Sequence, residues 1–417
     1  MSAPTTTQTD TPQAPGISGG LHTTYSVLLE ALKATGLAIP LRTPMKALGG
    51  VWITSDSAEF TAGSATLQTY DMDLSVRYDL PGTIHVGDPI RVLVSHTELA
   101  KLLPALTKGV AKRESVDLPV SITQDGADVS VNLNGYTMPL EVLPTKDYPT
   151  LPARPDTAAM FGVSELVENV ERVSVALDND SAVPVLRSVL FRIQDGELTL
   201  AATDRYRLTV ATMRVDSGDT DFTGLVPGHF VKLVRHLDAG QVGKVGFDEH
   251  NIVLAAGNVT FIQRLADGQF PKYKSLVPGA DKIGVTYRLD RAKVLLAAER
   301  AAAVLAAKGK AGRQVAIDVA ADCISVRPVP IGEEGKVRAP WIPAEELMIS
   351  ADRRHSTILV SVNFLVAALK NFTTDKVALH VQDEDGHKPV LFTAQVDGVG
   401  DPTAYRHLLM VVRPAAG

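Results

Sequence analysis

The sequence predicts an α+β fold built from a domain that recurs along the chain. The segment LPTKDYPTLP (Leu143 to Pro152) closes the first third, and LADGQFPKYKSLVP (Leu265 to Pro278) closes the second. Each runs from an apolar strand into an aromatic-Pro pair and stops at a second Pro, and Tyr148 and Phe270 stand 122 positions apart. This spacing has the size of a whole domain rather than of a solenoid repeat of about 20 to 50 residues.

The predicted helices are few and the predicted strands many. Several helical segments open on capping Ser or Thr residues; Ser95, for example, is followed by Glu98 three positions later. The predicted helices cover residues 23–36, 95–109, 164–177, 228–240, 289–309 and 361–372. Alternating runs bounded by Gly, Asp and Asn lie between them, and the Asp195-Gly196 pair predicts a two-residue hairpin turn.

This alternation of helices and hairpins occurs three times, which is typical of an α+β repeat. The joins are predicted near residues 155 and 280. The chain therefore divides into a disordered tail rich in Thr, Pro, Gly and Ser and three similar domains, with bounds of 1–20, 21–155, 156–280 and 281–417.

The composition favours a folded protein and excludes several classes. Of the 417 residues 45% are hydrophobic, which suffices for real cores. The single cysteine, Cys323, excludes an intramolecular disulfide, and no apolar run approaches the length of a membrane span, about 18 residues. The first residues lack the basic start and apolar core of a signal peptide, so we expect a cytoplasmic protein.

No catalytic constellation stands out in the sequence. It lacks a Gly-rich phosphate loop, a His-Glu-x-x-His motif, a Gly-x-Ser-x-Gly motif and paired cysteines for zinc. The net charge of −6 argues against a uniformly basic nucleic-acid binder but leaves room for local basic faces.

The segments with the most specific sequence resemble one known family. They are PVLRSVLFRIQDGELTLAATDRYRLTV (Pro184 to Val210), GQFPKYKSLVP (Gly268 to Pro278) and HLLMVVRP (His407 to Pro414). Together they resemble the bacterial sliding clamp, the β subunit of DNA polymerase III, and the match extends in order from about Tyr25 to Pro414. The resemblance implies three clamp domains per chain, with two helices of each lining a pore and antiparallel sheets outside. Two chains would form a head-to-tail homodimeric ring of six domains.

The resemblance also implies a function. A clamp encircles duplex DNA without reading its sequence, tethers the replicative polymerase and so raises processivity. It has no chemistry of its own, needs no cofactor or metal and does not act at a membrane. Its partners are duplex DNA, the DNA polymerase III α subunit, the ATP-driven clamp loader and other proteins with a clamp-binding motif.

Two functions from other classes remain open at this stage. A monomeric hydrolase or transferase on an α+β repeat would show turnover that is lost on mutating one acidic residue. A DNA-binding regulator would footprint a specific sequence on linear DNA, whereas a clamp would stay on circular DNA and slide off once it is cut.

The family's partner peptides dock in a pocket between the second and third domains, since buried apolar anchors supply affinity while polar rim groups set orientation. From spacing alone, the aliphatic members are ordinary core residues, and only the resemblance groups them. Matching by position assigns this pocket to Leu186, Thr203, Arg205, Tyr206, Arg207, Leu208, Pro271, Leu276, Phe364, Leu408, Met410, Val412 and Arg413.

The sequence departs from the family inside this pocket. The family pattern is Thr-Asp-Gly-His-Arg-Leu, whereas Arg205 and Tyr206 stand here in place of Gly and His. Because Arg lacks glycine's easy access to positive φ, either the turn differs or the pocket is narrower. The end of the chain also lacks the family's Met-Pro-x-Arg-Leu pattern. One hypothesis is a diverged or second-copy clamp that tolerates a pocket-directed inhibitor or favours particular partners; neutral drift is the alternative.

Two further sets of residues follow from the resemblance. Basic residues on or near the predicted helices would face DNA, although some of them only solvate exposed faces; they are Arg42, Lys101, Lys108, Lys232, Arg235, Arg291, Lys293 and Lys370. The subunit interface would pair a first-domain edge strand with the third domain, through Met138, Leu140, Val304 and Leu305. Pro139 removes one hydrogen-bond donor from that strand.

Overall fold

The structure is a computed structural model. It describes residues 19–42, 45–55, 65–231, 233–309, 314–330, 335–349, 356–382, 388–395 and 404–412. The described helices are α1 (Tyr25–Thr35), α2 (His96–Leu106), α3 (Lys112–Ser115), α4 (Val163–Ser174), α5 (Gly228–Val231), α6 (Arg291–Ala307) and α7 (Val362–Asn371). No helix in this part of the chain is long and apolar enough to cross a membrane.

Strands make up most of the regular structure. In chain order the described strands are β1 (Gly19–Thr24), β2 (Gly50–Ser55), β3 (Ala65–Tyr70), β4 (Leu74–Asp79), β5 (Ile84–Gly87), β6 (Ile90–Ser95), β7 (Pro119–Asp125), β8 (Asp128–Leu133), β9 (Tyr136–Pro139), β10 (Thr157–Gly162), β11 (Ser188–Gln194), β12 (Glu197–Thr203), β13 (Arg207–Arg214), β14 (Phe222–Pro227), β15 (Val242–Phe247), β16 (Asn251–Ala256), β17 (Val259–Arg264), β18 (Val285–Asp290), β19 (Gln314–Val319), β20 (Cys323–Pro328), β21 (Trp341–Ile349), β22 (Ser356–Ser361), β23 (Lys376–Val381), β24 (Val390–Gln395) and β25 (Tyr405–Leu409). The predicted α+β class is confirmed.

The order of elements repeats along the chain. The second and third repeats each run strand, helix, four strands, helix, three strands, and the first repeat adds β5 and α3 to the same order. The chain divides into two compact units, and their boundary at Arg154 and Pro155 lies beside the predicted join near residue 155. Apart from Ala255–Gln263, the second and third repeats share one unit, so the join near residue 280 and the three-domain division remain predictions.

The first unit comprises the residues up to Arg154 together with Ala255–Gln263. One of its sheets has the order β5-β1-β7-β8-β9, and in the other β17 joins β4, β3, β2 and β6. Gly19 and Gly20 already belong to β1 and pair with β7, so the predicted tail over 1–20 is two residues too long; residues 1–18 lie outside the described part.

The second unit comprises Pro155–Leu254 and the residues from Arg264 onwards. It holds β10, β15 and the first four residues of β16, together with a twelve-stranded antiparallel sheet of order β14-β11-β12-β13-β25-β24-β23-β18-β21-β20-β19-β22. The hydroxyl of Thr209 on β13 donates to the carbonyl of Val173 in α4, at 2.9 Å, so this helix is bonded to the sheet. Helix α6 packs against α7 and β20.

Local signals in the sequence explain most element ends. Ser95 caps α2, since its hydroxyl accepts from the Glu98 N–H at 3.4 Å, and Asp290 caps α6 in the same way at 3.1 Å. Asp195 and Gly196 adopt φ values of 52° and 71°, which are the left-handed values a tight hairpin turn requires.

The helix predicted over 228–240 is wrong in length. Only α5 and a 3₁₀ turn at Val234–His236 form among its described residues. The β-branched Val231 and Val234 lower its helix propensity, and buried Phe230, Val231 and Val234 hold the segment by packing instead.

Candidate functional site

The turn between β12 and β13 is held by the carboxylate of Asp204. One of its oxygens accepts the backbone N–H groups of Tyr206 and Arg207, at 3.0 and 2.9 Å, and the other accepts the Nε–H of Arg207 at 2.9 Å. Both side chains of this ion pair are nearly buried, with exposed fractions of 10% and 13%. The charges of Asp204 and Arg207 therefore neutralise each other inside the turn.

Arg205 occupies the left-handed region of backbone space, with φ of 76°. Thr203 supports this conformation, because its hydroxyl accepts the N–H of Arg205 at 3.1 Å and donates to the carbonyl of Arg207 at 2.7 Å. The turn thus keeps a conformation that suits glycine, and Arg205 holds it at a cost of about 1 kcal/mol. The left-handed φ at Arg205 argues against the expectation of a different turn, and a narrower pocket remains a prediction.

The turn forms one wall of an apolar cleft of about 230 Å³. We call it the apolar cleft; its lining consists of Leu186, Thr203, Arg205, Arg207, Leu208, Phe270, Pro271, Tyr273, Leu276, Leu408 and Met410. Nine of these were assigned to the pocket from the sequence. Their roles in binding remain predictions, but the fold brings them together from four separate segments of the second unit.

Strand pairing explains how distant residues meet in the apolar cleft. Strand β25 lies antiparallel to β13, which sets Leu208 opposite Leu408, and the N–H of Met410 donates to the carbonyl of Tyr206 at 2.9 Å. Leu208 and Leu408 belong to a buried cluster that also contains Tyr273, with Phe270 packed against it. The cleft therefore has a rigid apolar base.

Phe270 and Tyr273 are missing from the residues predicted for the site. Their rings meet edge to face with centroids 5.9 Å apart. The signal was available, since both lie in the second copy of the recurring aromatic-Pro segment, but that segment was interpreted as the end of a domain. The sequence assigned only Pro271 and Leu276 from it.

Three further residues predicted for the pocket, Tyr206, Phe364 and Val412, are described by the structure but do not line the apolar cleft. Tyr206 is 61% exposed and stacks on Phe364 at 6.2 Å, while the guanidinium of Arg207 lies 4.6 Å from the centre of the Phe364 ring. The N–H of Val412 donates to the carbonyl of Leu359 at 2.8 Å. Arg413 lies outside the described residues.

A fully buried histidine lies next to Leu408 on β25. Burial, reinforced by the nearby Arg207 charge, lowers the pKa of His407 to about 3. Its Nδ1 lies 2.9 Å from the hydroxyl of Tyr405, which also takes a hydrogen bond from the Asn371 side chain at 2.6 Å. Asn371 donates in addition to the carbonyl of Arg172 at 2.6 Å, so the end of α7 is bonded to α4 through this polar cluster.

Comparison with known proteins agrees with the fold. Residues 162–272 match the family model described as the DNA polymerase III beta subunit, central domain. The β sliding clamp of Streptomyces coelicolor is 28% identical over 267 residues, which is 60% of this chain and 65% of that relative. The β sliding clamp homolog GriR of Streptomyces muensis is 23% identical over 393 residues, 93% of this chain and 97% of the relative.

A solved structure extends the likeness to nearly the whole fold. The DNA polymerase III subunit beta of Pseudomonas aeruginosa superposes with a TM-score of 0.77 at 19% identity, covering 95% of this chain and 100% of that one. Together these comparisons support a bacterial DNA polymerase III β sliding clamp. The resemblance read from residues 184–210, 268–278 and 407–414 is thereby confirmed.

Within the sliding-clamp scaffold, the residues predicted to face DNA differ in their surroundings. Arg42, Lys101, Lys108 and Lys293 are exposed. Arg235 and Lys370 are engaged in ion pairs with Glu171 and Glu299, at 3.1 and 2.8 Å. The half-buried Arg291 donates from Nε to the carbonyl of Thr374 at 2.7 Å, and Lys232 lies outside the described residues.

The residues predicted for the clamp interface fall into two groups. Met138 is half-buried on β9, an edge strand, and Val304 on α6 is 45% exposed. Leu140 and Leu305 are only 6% and 4% exposed and pack inside their own units. Met138 and Val304 are therefore accessible at the surface of their own units and Leu140 and Leu305 are not, and the interface itself remains a prediction.

Proposed function

We propose that this protein is a sliding clamp. Two copies close head to tail into a ring around duplex DNA, and the apolar cleft tethers the replicative polymerase and other replication or repair proteins. The chain acts without chemistry of its own, and its work is to keep partners at high effective concentration on the template. Similarity to β sliding clamps supports this function, and the apolar cleft is the observation that carries the tethering role.

The pairing of strands between repeats supports ring closure. Strand β17, the last of the second repeat, pairs with β4, and β25, the last of the third repeat, pairs with β13. In both cases the acceptor is the second strand of a hairpin. It is β4 in the β3–β4 hairpin and β13 in the β12–β13 hairpin. In the third repeat, the matching acceptor is the segment that follows β20 and leads into β21. In the first repeat, the matching last strand is β9.

Both of these edges have features suited to a second copy. Strand β9 lies at the edge of its sheet, and its Tyr136 is 58% exposed. A cavity of about 420 Å³ beside α6 is lined by Val337, Pro340 and the exposed Leu296, Val304 and Trp341. Pairing β9 of one copy with residues 337–340 of another continues the sheet and covers these apolar side chains.

The apolar cleft suits a short peptide motif of the kind the family binds. It is concave, its base is rigid and apolar, and its polar groups are confined to the turn at 203–207. We therefore expect the DNA polymerase III α subunit and the clamp loader to dock here through a Gln-, Leu- and Phe-containing segment.

Retention on DNA tests the ring. The protein is loaded onto nicked circular DNA by its clamp loader with ATP, and the mixture is passed through a gel-filtration column. We expect it to remain with the circle and to be lost once the DNA is linearised. A Leu296→Asp/Val304→Asp variant should sediment as a monomer, fail to be retained and still bind a motif peptide. Equal retention on linear DNA would contradict topological binding.

The turn at Arg205 and Tyr206 supports a narrower proposal, that the pocket is altered to tolerate a pocket-directed inhibitor or to favour particular partners. The exposed cationic side chain of Arg205 lines the apolar cleft and changes what can enter it, and the adjacent Tyr206 ring stacks on Phe364. If Arg205→Gly and Tyr206→His leave both inhibitor and peptide affinities unchanged, neutral drift is the correct account.

A further inference from the structure

A second, larger cleft adjoins the apolar cleft. Its volume is about 700 Å³, and Phe270, Pro271 and Tyr273 line both clefts. The other walls of the larger cleft come from β11, β14 and residues 264–274. The two clefts therefore share one wall.

The larger cleft is basic in a protein that is acidic as a whole. Four Lys and Arg side chains line it against two Asp and Glu, whereas the chain carries a net charge of −6. The basic side chains are Arg192, Arg264, Lys272 and Lys274, and we call the site the basic cleft. Lys272 and Lys274 flank the buried Tyr273 and are both exposed.

Arg205 continues this positive charge to the rim of the apolar cleft. Its side chain is exposed, and it lines the cleft beside Arg207, whose own charge is compensated by Asp204 at 2.9 Å. The apolar cleft therefore has one uncompensated charge among its lining residues, and this charge has the same sign as the excess in the basic cleft.

We propose that the partner peptides of this protein carry an acidic flank. The apolar anchors of the motif occupy the apolar cleft, and Asp or Glu residues next to them enter the basic cleft and reach Lys272, Lys274 and Arg205. This inference rests on the proposed peptide-binding function. A peptide fits better than a nucleic acid because the basic cleft also carries Glu249 and Asp267 and opens from an apolar site.

The expected size of the effect follows from exposed ion pairs. Each contributes only a few tenths of a kcal/mol up to about 1 kcal/mol, so three of them raise affinity about tenfold. Because these charges are solvated, the gain should shrink between about 50 mM and about 500 mM salt. Rim charges act mainly on the association rate, so the acidic peptide should bind faster rather than dissociate more slowly.

The test compares peptides that share one motif and differ only in the flank. Acidic, neutral amide and lysine flanks are placed on either side of the motif, and binding is measured by calorimetry and stopped-flow fluorescence. The proteins are the wild type, Lys272→Ser/Lys274→Ser and Arg205→Asn, which tolerates positive φ without the charge. Arg205→Lys keeps the charge, and Lys244→Ser removes an exposed lysine from β15, outside the cleft linings.

We expect the acidic peptide to bind wild type about tenfold more tightly than the neutral peptide. This preference should fall below about twofold in Lys272→Ser/Lys274→Ser, decrease in Arg205→Asn and persist in Arg205→Lys and Lys244→Ser. The neutral peptide should bind wild type, Lys272→Ser/Lys274→Ser and Lys244→Ser alike, and for each Arg205 variant the acidic peptide is compared with the neutral peptide on the same protein.

Three outcomes would contradict the proposed acidic flank, and they have different consequences for the proposed peptide-binding function. Equal binding of acidic and neutral peptides refutes the acidic flank alone and leaves the peptide site intact. Failure of every peptide to bind wild type refutes the proposed function and this inference together. Binding of a single-stranded oligonucleotide that depends on Lys272 and Lys274 and displaces the acidic peptide would make the basic cleft a nucleic-acid site.

Discussion

The two copies of the aromatic-Pro segment differ in their surroundings: the first packs into a closed cluster, and the second borders open clefts. In the first unit, Tyr148 packs edge to face on Trp52, with ring centroids 5.7 Å apart, and both cover a cluster of Ala47, Leu93 and Leu143. In the second unit, the corresponding segment carries Phe270 and Tyr273 and borders two clefts.

Strand register identifies the residue that accounts for part of this difference. Trp52 is the third residue of β2 and pairs with Leu93 on β6, and Leu190 is the third residue of β11 and pairs with Leu225 on β14. Leu190 and Leu225 line the basic cleft. In the first unit, Trp52 fills this position. In the second unit, the smaller Leu190 occupies the matching position beside the basic cleft. One side chain at a matched position helps to decide whether the scaffold is packed or open.

Removing the filling residue should have the largest effect. Trp52→Ala is expected to destabilise the first unit by about 2 to 3 kcal/mol, because the ring is half-buried and leaves a partial cavity. Urea unfolding followed by circular dichroism measures this. Arg91→Gln, which removes only the guanidinium 5.1 Å from the Trp52 ring, should cost below about 1 kcal/mol. Weaker peptide binding in Trp52→Ala would contradict the separation between the two regions.

Acid should distinguish the second unit through His407. Its folded-state pKa of about 3 lies below its unfolded value of about 6.5, so the unfolded chain takes up the proton first as the pH falls. The stabilisation is complete above about pH 6.5 and is lost as the pH falls towards 3, with about 2 kcal/mol gone by pH 5.

Fluorescence can follow this loss in the second unit alone. The two tryptophans, Trp52 and Trp341, lie in different units, so a Trp52→Phe background leaves Trp341 as the reporter. His407→Gln should make the stability profile between pH 7 and pH 5 less steep, and the slope that remains is expected from His380, whose pKa burial lowers to about 4. An unchanged slope in that variant would show that other groups govern acid sensitivity.

Filling the basic cleft with a larger side chain should test the same comparison in the second unit. Leu190→Trp introduces the first unit's side chain into the second, and we expect the tenfold advantage of an acidic flank to disappear while the neutral motif peptide loses less than about twofold. Leu190→Met, which conserves volume, is the matched control. Loss of neutral-peptide binding in Leu190→Trp alone would mean that the two clefts cannot be filled independently.

The smallest expected effect is a gain in stability. Arg205→Gly removes the strain of a side chain at φ of 76°, and the added freedom of the unfolded chain offsets part of it, so we expect a gain of about 0.5 to 1 kcal/mol. Asp195→Gly, at φ of 52° in the β11–β12 turn, should gain less because Asp tolerates this region better. A loss of stability in Arg205→Gly would show that the Arg205 side chain makes contacts that outweigh the strain.

The sequence predicted local features better than combinations of them. Ser95 as a cap and Asp195-Gly196 as a turn were confirmed because each depends on a few adjacent residues. The pocket residues were found through family resemblance, since nothing in their spacing brings Leu208 opposite Leu408. The left-handed Arg205 and the wall shared by two clefts could not be predicted, because both depend on tertiary contacts that override residue preference.

Because Phe270, Pro271 and Tyr273 line both clefts, we expect binding in one cleft to be thermodynamically coupled to binding in the other. A ligand in either cleft biases the same few side chains, so each site senses whether the other is occupied. Coupling of this kind is reciprocal: if a small molecule in the basic cleft weakens a peptide by some factor, the peptide weakens that molecule by the same factor. An inhibitor that binds in the basic cleft therefore need not enter the apolar cleft to release a partner. A change inside the apolar cleft, such as Arg205 in place of the family's Gly, need not protect against such an inhibitor.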